Sequence, residues 1–162
     1  MTMLGFLTIT GSKQGSIQGS SIHLDHEGEI EVLSLDHQIE VPGGLDAPLS
    51  AGQPLHGALV INKLVDKSTP KLAQALCARE LLSEVNITWY RHGSNGSREL
   101  FYRIQLQNAL ISKVKTWTPH LYEKEQDEYR LMEDVSFSYE KILWSWGPEA
   151  DVEYEIQAKG AQ

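Results

Sequence analysis

Apolar and polar side chains alternate at period two along most of this chain, a spacing that builds half-buried strands rather than helices. Val85, Ile87 and Trp89 alternate with Glu84, Asn86, Thr88 and Tyr90, and after residues 92–97 the pattern resumes at Leu100, Tyr102, Ile104 and Leu106. Asn95-Gly96 stands between the two runs, a pair that readily accepts the positive φ of a tight hairpin turn. A two-residue turn there sets Val85 opposite Leu106, Ile87 opposite Ile104 and Trp89 opposite Tyr102. Asn86–Gln105 and Thr88–Arg103 then fall on the other face. Turn chemistry and hydrophobic phase agree on one register.

Leu4–Thr10, Glu29–Glu40, Leu55–Val65, Leu131–Trp146 and Val152–Ile156 read as further strands. Within 131–146 the apolar phase switches from odd (Leu131, Val135, Phe137, Tyr139) to even (Ile142, Trp144, Trp146). Such a switch predicts a bulge or bend where a strand turns a barrel corner. One helix interrupts the strands. Asp66-Lys67-Ser68-Thr69-Pro70 supplies a capping hydroxyl and a first-turn proline, and the spacing predicts a helix over about 70–82 with Leu72, Ala73, Leu76 and Cys77 on one stripe. Gly11–Ser21, an extended Gly/Pro-rich segment over about 41–54, and Thr118–Glu128 read as loops; a short strand and tail occupy 151–162. The expected fold is mainly β, an antiparallel two-sheet β-barrel or sandwich with one flanking α-helix, and the 162 residues read as a single domain.

Fourteen basic against 22 acidic residues give a net charge of −8, which argues against partners held through phosphates, whether nucleic acid or anionic lipid. The single cysteine, Cys77, leaves no intramolecular disulfide, and no apolar run approaches the roughly 18 residues of a membrane span. Residues 1–10 lack the basic start of a secretory leader and read as a strand.

A search for chemistry finds little. Gly11, Gly15 and Gly19 are evenly spaced, but no Gly-Lys-Ser/Thr follows and they read as a flexible loop. His23 and His26 have clip-like spacing without an evident third ligand and read as a polar turn. Cys77, on the helix stripe, reads as a small buried residue, not a nucleophile. Residues 123–128 read as a solvated acidic run, and Asn86 and Asn95, although in glycosylation patterns, read as a strand and a turn residue. No catalytic, metal or cofactor-binding residue emerges, and no cofactor is expected.

The informative excess is apolar. Leu55, Leu59, Ile61 and Val65 interleave with Ala58, Val60 and Leu64, and Ile142, Leu143, Trp144 and Trp146 crowd together. A strand apolar on both faces is either sandwiched inside one subunit or covered by another copy. Three classes remain open on the residues alone: a self-assembling structural protein, a small-ligand-binding β-barrel module, and a small carboxylate-dependent hydrolase.

Four stretches, in order, resemble one family. Lys63-Leu64-Val65-Asp66-Lys67-Ser68-Thr69-Pro70-Lys71-Leu72, running on to Cys77, is similar to the helix-start signature of the Hcp (haemolysin-coregulated) proteins of type VI secretion systems. Gly28–Ser34 followed by His37 resembles their second-strand motif, Leu110–Val114 the strand end before a variable loop, and Glu133–Ile142 a late strand. Asp66, Ser68, Thr69, Pro70 and Leu72 are the structural motif positions. The match runs from Leu4 to Pro148.

The resemblance implies a two-sheet barrel flanked by one helix, with six copies closing a ring and rings stacking into a hollow tube. It implies as partners the chain itself, sheath and spike or baseplate components, and small effector proteins in the lumen, with no catalytic step and no membrane insertion. It further implies residence in the bacterial cytoplasm before firing, then export by the apparatus without a signal peptide. Pro42, Gly43, Gly44, Leu45 and Asp46 fall where the family has its ring-stacking loop. Asp36 falls at a lumen-facing position where serine is commoner, and alternation places Ser34 and Gln38 beside it. A ring of Asp36 carboxylates would favour basic cargo; the alternative is an exposed strand-end residue with no cargo role. The 118–128 loop is more charged than the family's usual glycine-rich stretch.

Overall fold

The computed structural model describes residues 3–43, 52–120, 131–150 and 152–157. Its strands are β1 (Leu4–Gly11), β2 (Gly15–Ile17), β3 (Ile30–Val32), β4 (Ser34–Asp36), β5 (Ile39–Glu40), β6 (Leu55–His56) and β7 (Leu59–Leu64). After helix α1 (Thr69–Cys77) come β8 (Leu82–His92), β9 (Arg98–Trp117), β10 (Met132–Ser138), β11 (Lys141–Trp146) and β12 (Val152–Gln157). The fold is an antiparallel two-sheet β-barrel with, among the described residues, one helix.

Two strands stitch the sheets together. The first half of β9 pairs with β8 and β11, and from Leu110 onward β9 pairs with β10. The change falls at Asn108, whose φ of 50° bends the strand there. On the opposite side β3 pairs with β1, Leu33 donates to the Asn62 carbonyl, and β4 pairs with β7. Ile30 and Val32 are buried at even positions whereas Leu35 turns inward at an odd one, so the strand expected over 29–40 shifts phase at Leu33 and closes the barrel. The phase switch expected within 131–146 is a corner of the same kind. β10 lies in one sheet, β11 in the other, and Tyr139 and Glu140 join them. The strand expected over 55–65 breaks at Gly57–Ala58.

The β8–β9 register is as the alternation predicts, with Val85↔Leu106, Ile87↔Ile104, Trp89↔Tyr102, Asn86↔Gln105 and Thr88↔Arg103. The turn is different. Gly96 donates to the Gly93 carbonyl and alone has positive φ (79°), and Gly93 pairs with Ser97, so three residues rather than two span the turn. Opposite Trp89/Tyr90 the register shifts by one, leaving Phe101 as the extra residue that restores the predicted pairing.

The helix is shorter than the expected 70–82. The Arg79 N–H donates to the Leu76 carbonyl and the Glu80 N–H to the Ala75 carbonyl, with Arg79 at φ 49°, which is a Schellman stop. Arginine holds the place glycine usually takes, so no glycine marks the end. Leu72 and Ala75 are buried and Leu76 partly so, whereas Ala73 and Cys77 are exposed. The expectation of a buried Cys77 is therefore corrected: the helix rotates it away from β9, against which the other face packs.

Candidate assembly surfaces

Family-motif residues join the helix to the barrel. Lys63 on β7 lies opposite Glu133 on β10, both side chains fully buried, and Lys63 Nζ stands 2.6 Å from Glu133 Oε2 and 3.1 Å from Asp66 Oδ1. Thr69 Oγ1 donates to Glu133 Oε2 at 2.7 Å and accepts the Asp66 N–H. The expected hydroxyl cap is not made: Ser68 at the N-cap forms no side-chain cap bond, and the Asp66 carboxylate instead takes the Ser68 N–H at 2.9 Å. Pro70 sits in the first turn and Leu72 plugs the core. This motif fixes α1 to β7 and β10, since a buried charge without its partner would cost several kcal/mol.

A second surface is an apolar ladder crossing four strands. Its innermost row is Val85–Leu106–Ile142–Ile156, the next Ile87–Ile104–Trp144–Tyr154, and the last Trp89–Tyr102–Trp146–Val152. The first row belongs to the core; in the last, Trp89 and Tyr102 still pack against it, and Trp146 and Val152 run out past it. Trp146 is 44% exposed, Val152 62% and Tyr154 63%, and the Trp144 and Tyr154 rings stack at 6.0 Å. Among the described residues β12 pairs with β11 alone, so its outer edge lies beside uncovered apolar area. The expected double-faced strand at 55–65 is milder, with Leu59 and Ile61 buried and Val60 and Leu64 half-buried.

The third surface is β4 and the chain beyond it. Ser34 and Asp36 are exposed on one face of β4 while Leu35 and His37 turn toward the barrel, and Gln38 is exposed beyond the end of that strand. Asp36 is not the only charge there. The ladder β4–β7–β10–β9 aligns Ser34, Asn62, Asp134 and Lys115 in one row and Asp36, Val60, Ser136 and Lys113 in the next. Asn62 Nδ2 donates to Asp134 Oδ1 at 2.7 Å.

Past β4 the chain leaves the barrel as a two-stranded ribbon, β5 with β6, that carries the 41–54 segment. Pro42 and Gly43 are exposed, Gly43 at a φ of 123° that glycine adopts freely; Gly44, Leu45 and Asp46 lie outside the described residues, as does most of the 118–128 loop. The Tyr139 hydroxyl sits between the two histidines flanking the ribbon, 2.9 Å from His37 Nε2 and 2.7 Å from His56 Nδ1. Burial and then the neighbouring His56 pull His37 below the usual 6.5, with Asp36 opposing, and burial pushes Tyr139 up to about 12. His37 and Tyr139 fall in motif stretches, but local periodicity does not bring the cluster together, because His37 and His56 lie 102 and 83 positions from Tyr139.

The remaining sequence candidates have structural places. His26 is buried, stacked on Phe6 at 4.1 Å, with Nδ1 2.9 Å from Glu29 Oε2. It is a core-edge histidine rather than part of a merely polar turn. His23 stands edge-on to the same ring. Among the described residues no three His, Cys, Asp or Glu side chains converge as a metal site. The barrel interior is filled by Leu7, Ile9, Ile30, Ile61, Val135 and Phe137 among others.

The fold is thus a filled barrel with an apolar ladder that is partly uncovered and an outlying ribbon. Residues 6–146 match the family described as "Type VI secretion system effector, Hcp". The chain belongs to the Hcp family of type VI secretion. It is 31% identical over 154 residues to the "Major exported protein" of Pseudomonas aeruginosa PAO1, spanning 90% of each chain. A solved Hcp protein superposes with a TM-score of 0.90 at 27% identity, covering 99% of this chain and 100% of the other. The "secreted protein Hcp3" of Pseudomonas aeruginosa superposes at 0.79, also at 27% identity, covering 98% and 100%.

Proposed function

We propose that this chain is the repeating subunit of a type VI secretion tube, in which six copies close a ring and rings stack around a hollow lumen. The observation that carries the reading is the outer row Trp89–Tyr102–Trp146–Val152 beside the open edge of β12. A heterologous interface that closes on itself buries such a ladder without leaving a template for aggregation. Membership of the Hcp family supports it.

In this reading the chain acts as one domain, without a catalytic step or cofactor, and is itself exported after waiting in the bacterial cytoplasm. Sheath and spike or baseplate components contact it, and small effector proteins ride in the lumen. Ser34, Asp36 and Gln38 face that lumen, and the segment from Pro42 through Asp46 reaches the next ring. Asp36, three strands removed from Lys113 on the same face, presents with Asp134 two carboxylates per subunit to basic groups on cargo. Native mass spectrometry tests the assembly: a six-copy species and its multiples are expected, and a monomer persisting at high concentration contradicts it.

A further inference from the structure

The β5–β6 ribbon pairs, among the described residues, with no other strand, and two pairs (Ile39↔His56 and Glu40↔Leu55) are too few to hold a ribbon on their own. At its throat Gly57 donates to the Gln38 carbonyl at 2.9 Å. Side-chain attachment comes from His37 at the start of the outgoing arm and His56 at the end of the returning arm, both bonded to the hydroxyl of Tyr139. Tyr139 is anchored where β10 passes into β11, so this one oxygen ties both arms to the barrel corner. We propose that His37, Tyr139 and His56 form a latch that seats the ribbon on the barrel at neutral pH and releases it in acid.

The proton count explains the release. A phenol has one proton to give and two lone pairs to receive. With both imidazoles neutral, the hydroxyl donates to one ring nitrogen and accepts an N–H from the other, so every group is satisfied. One added proton can go to the far nitrogen of the donating ring and leaves both bonds intact. A second must occupy the nitrogen that was accepting. Both rings then point N–H groups at the same oxygen, the phenol proton loses its acceptor, and two imidazolium charges face each other.

The groups around His37 act accordingly: burial and His56 disfavour its charge, and Asp36 is the carboxylate that partly offsets them. A histidine that binds protons more weakly when folded contributes stability at neutral pH that is lost as pH falls below the free value of 6.5. The released form, which takes up those protons, is the one acid selects. The latch belongs to a single chain and holds whether or not rings form; its consequence, weaker ring stacking in acid, rests on the tube reading.

Amide hydrogen exchange on the full chain at about pH 7.5 and about pH 5, corrected for the intrinsic rate, tests it. Protection of the ribbon's bonded amides, Glu40, Leu55 and Gly57, relative to β8 amides, should fall at least about tenfold in acid, the effect of one pH unit on one titrating group. Tyr139→Phe should show the low protection at both pH values. His37→Gln and His56→Asn each keep a donor toward Tyr139 but cannot be doubly protonated, and should keep the ribbon protected in acid. Should one variant fail to fold, the other decides. Equal ribbon protection at both pH values in the native chain, or an acid loss persisting in the glutamine and asparagine variants, overturns the latch.

Discussion

Lys63 Nζ lies 2.6 Å from Glu133 Oε2 with both side chains wholly out of solvent, so a buried charge pair joins β7 to β10, and Thr69 at the start of α1 bonds to both of its members. Removing one partner leaves the other buried and unpaired. Lys63→Met should therefore cost about 3–5 kcal/mol of folding stability, whereas Lys63→Met combined with Glu133→Leu should recover most of it. Denaturant titrations of the two variants distinguish the outcomes. Equal losses in both would mean that the pair's partners, Asp66 and Thr69, carry the attachment instead.

Tyr139 predicts a second pH effect at the opposite end of the scale. Its hydroxyl is held neutral to about 12 where a free phenol ionises at 10.0. The folded chain thus keeps a proton that the unfolded chain releases, and stability falls as pH rises above about 10. Absorbance titration should show Tyr139 ionising last, after the exposed tyrosines and after Tyr102, which burial also raises, and Tyr139→Phe should abolish the step near 12. A step near 12 that survives in Tyr139→Phe would assign it to another tyrosine.

Deleting Gly43–Ala51 should leave rings intact and abolish their stacking, since the deletion removes none of the outer row Trp89–Tyr102–Trp146–Val152. Sedimentation of ring against tube fractions measures this. Tubes forming at the native concentration would remove the stacking role from this segment.

Asp36→Arg should weaken retention of a basic effector in co-purification, because it turns a carboxylate on the Ser34–Asp36 face into a cation while Lys113 already lies across that face. Unchanged retention would make Asp36 an exposed strand residue with no part in cargo.

Sequence alone carried the β8–β9 pairing because alternation and burial demand one phase: had Val85 slipped by one from Leu106, every apolar residue would face water. It could not carry the turn, because Asn95-Gly96 serves a three-residue loop as readily as a two-residue one, and Phe101 absorbs the difference. The end of α1 was hidden because Arg79 occupies a left-handed position without a glycine to mark it, and Cys77 was misplaced with it. Ser34 and Asp36 could be placed on one face by alternation, whereas the lysines that share it depend on a ladder of four strands. The Tyr139 latch and the Lys63–Glu133 pair join distant segments through long-range packing, which local periodicity does not encode.

Single-particle electron microscopy of the purified full chain tests the central claim most directly. Six-fold rings are expected, with β4 and its Ser34–Asp36 face on the wall of the central hole and the Trp146–Val152 row buried between neighbours. Isolated compact particles, or rings with β4 on the outer rim, would contradict the account.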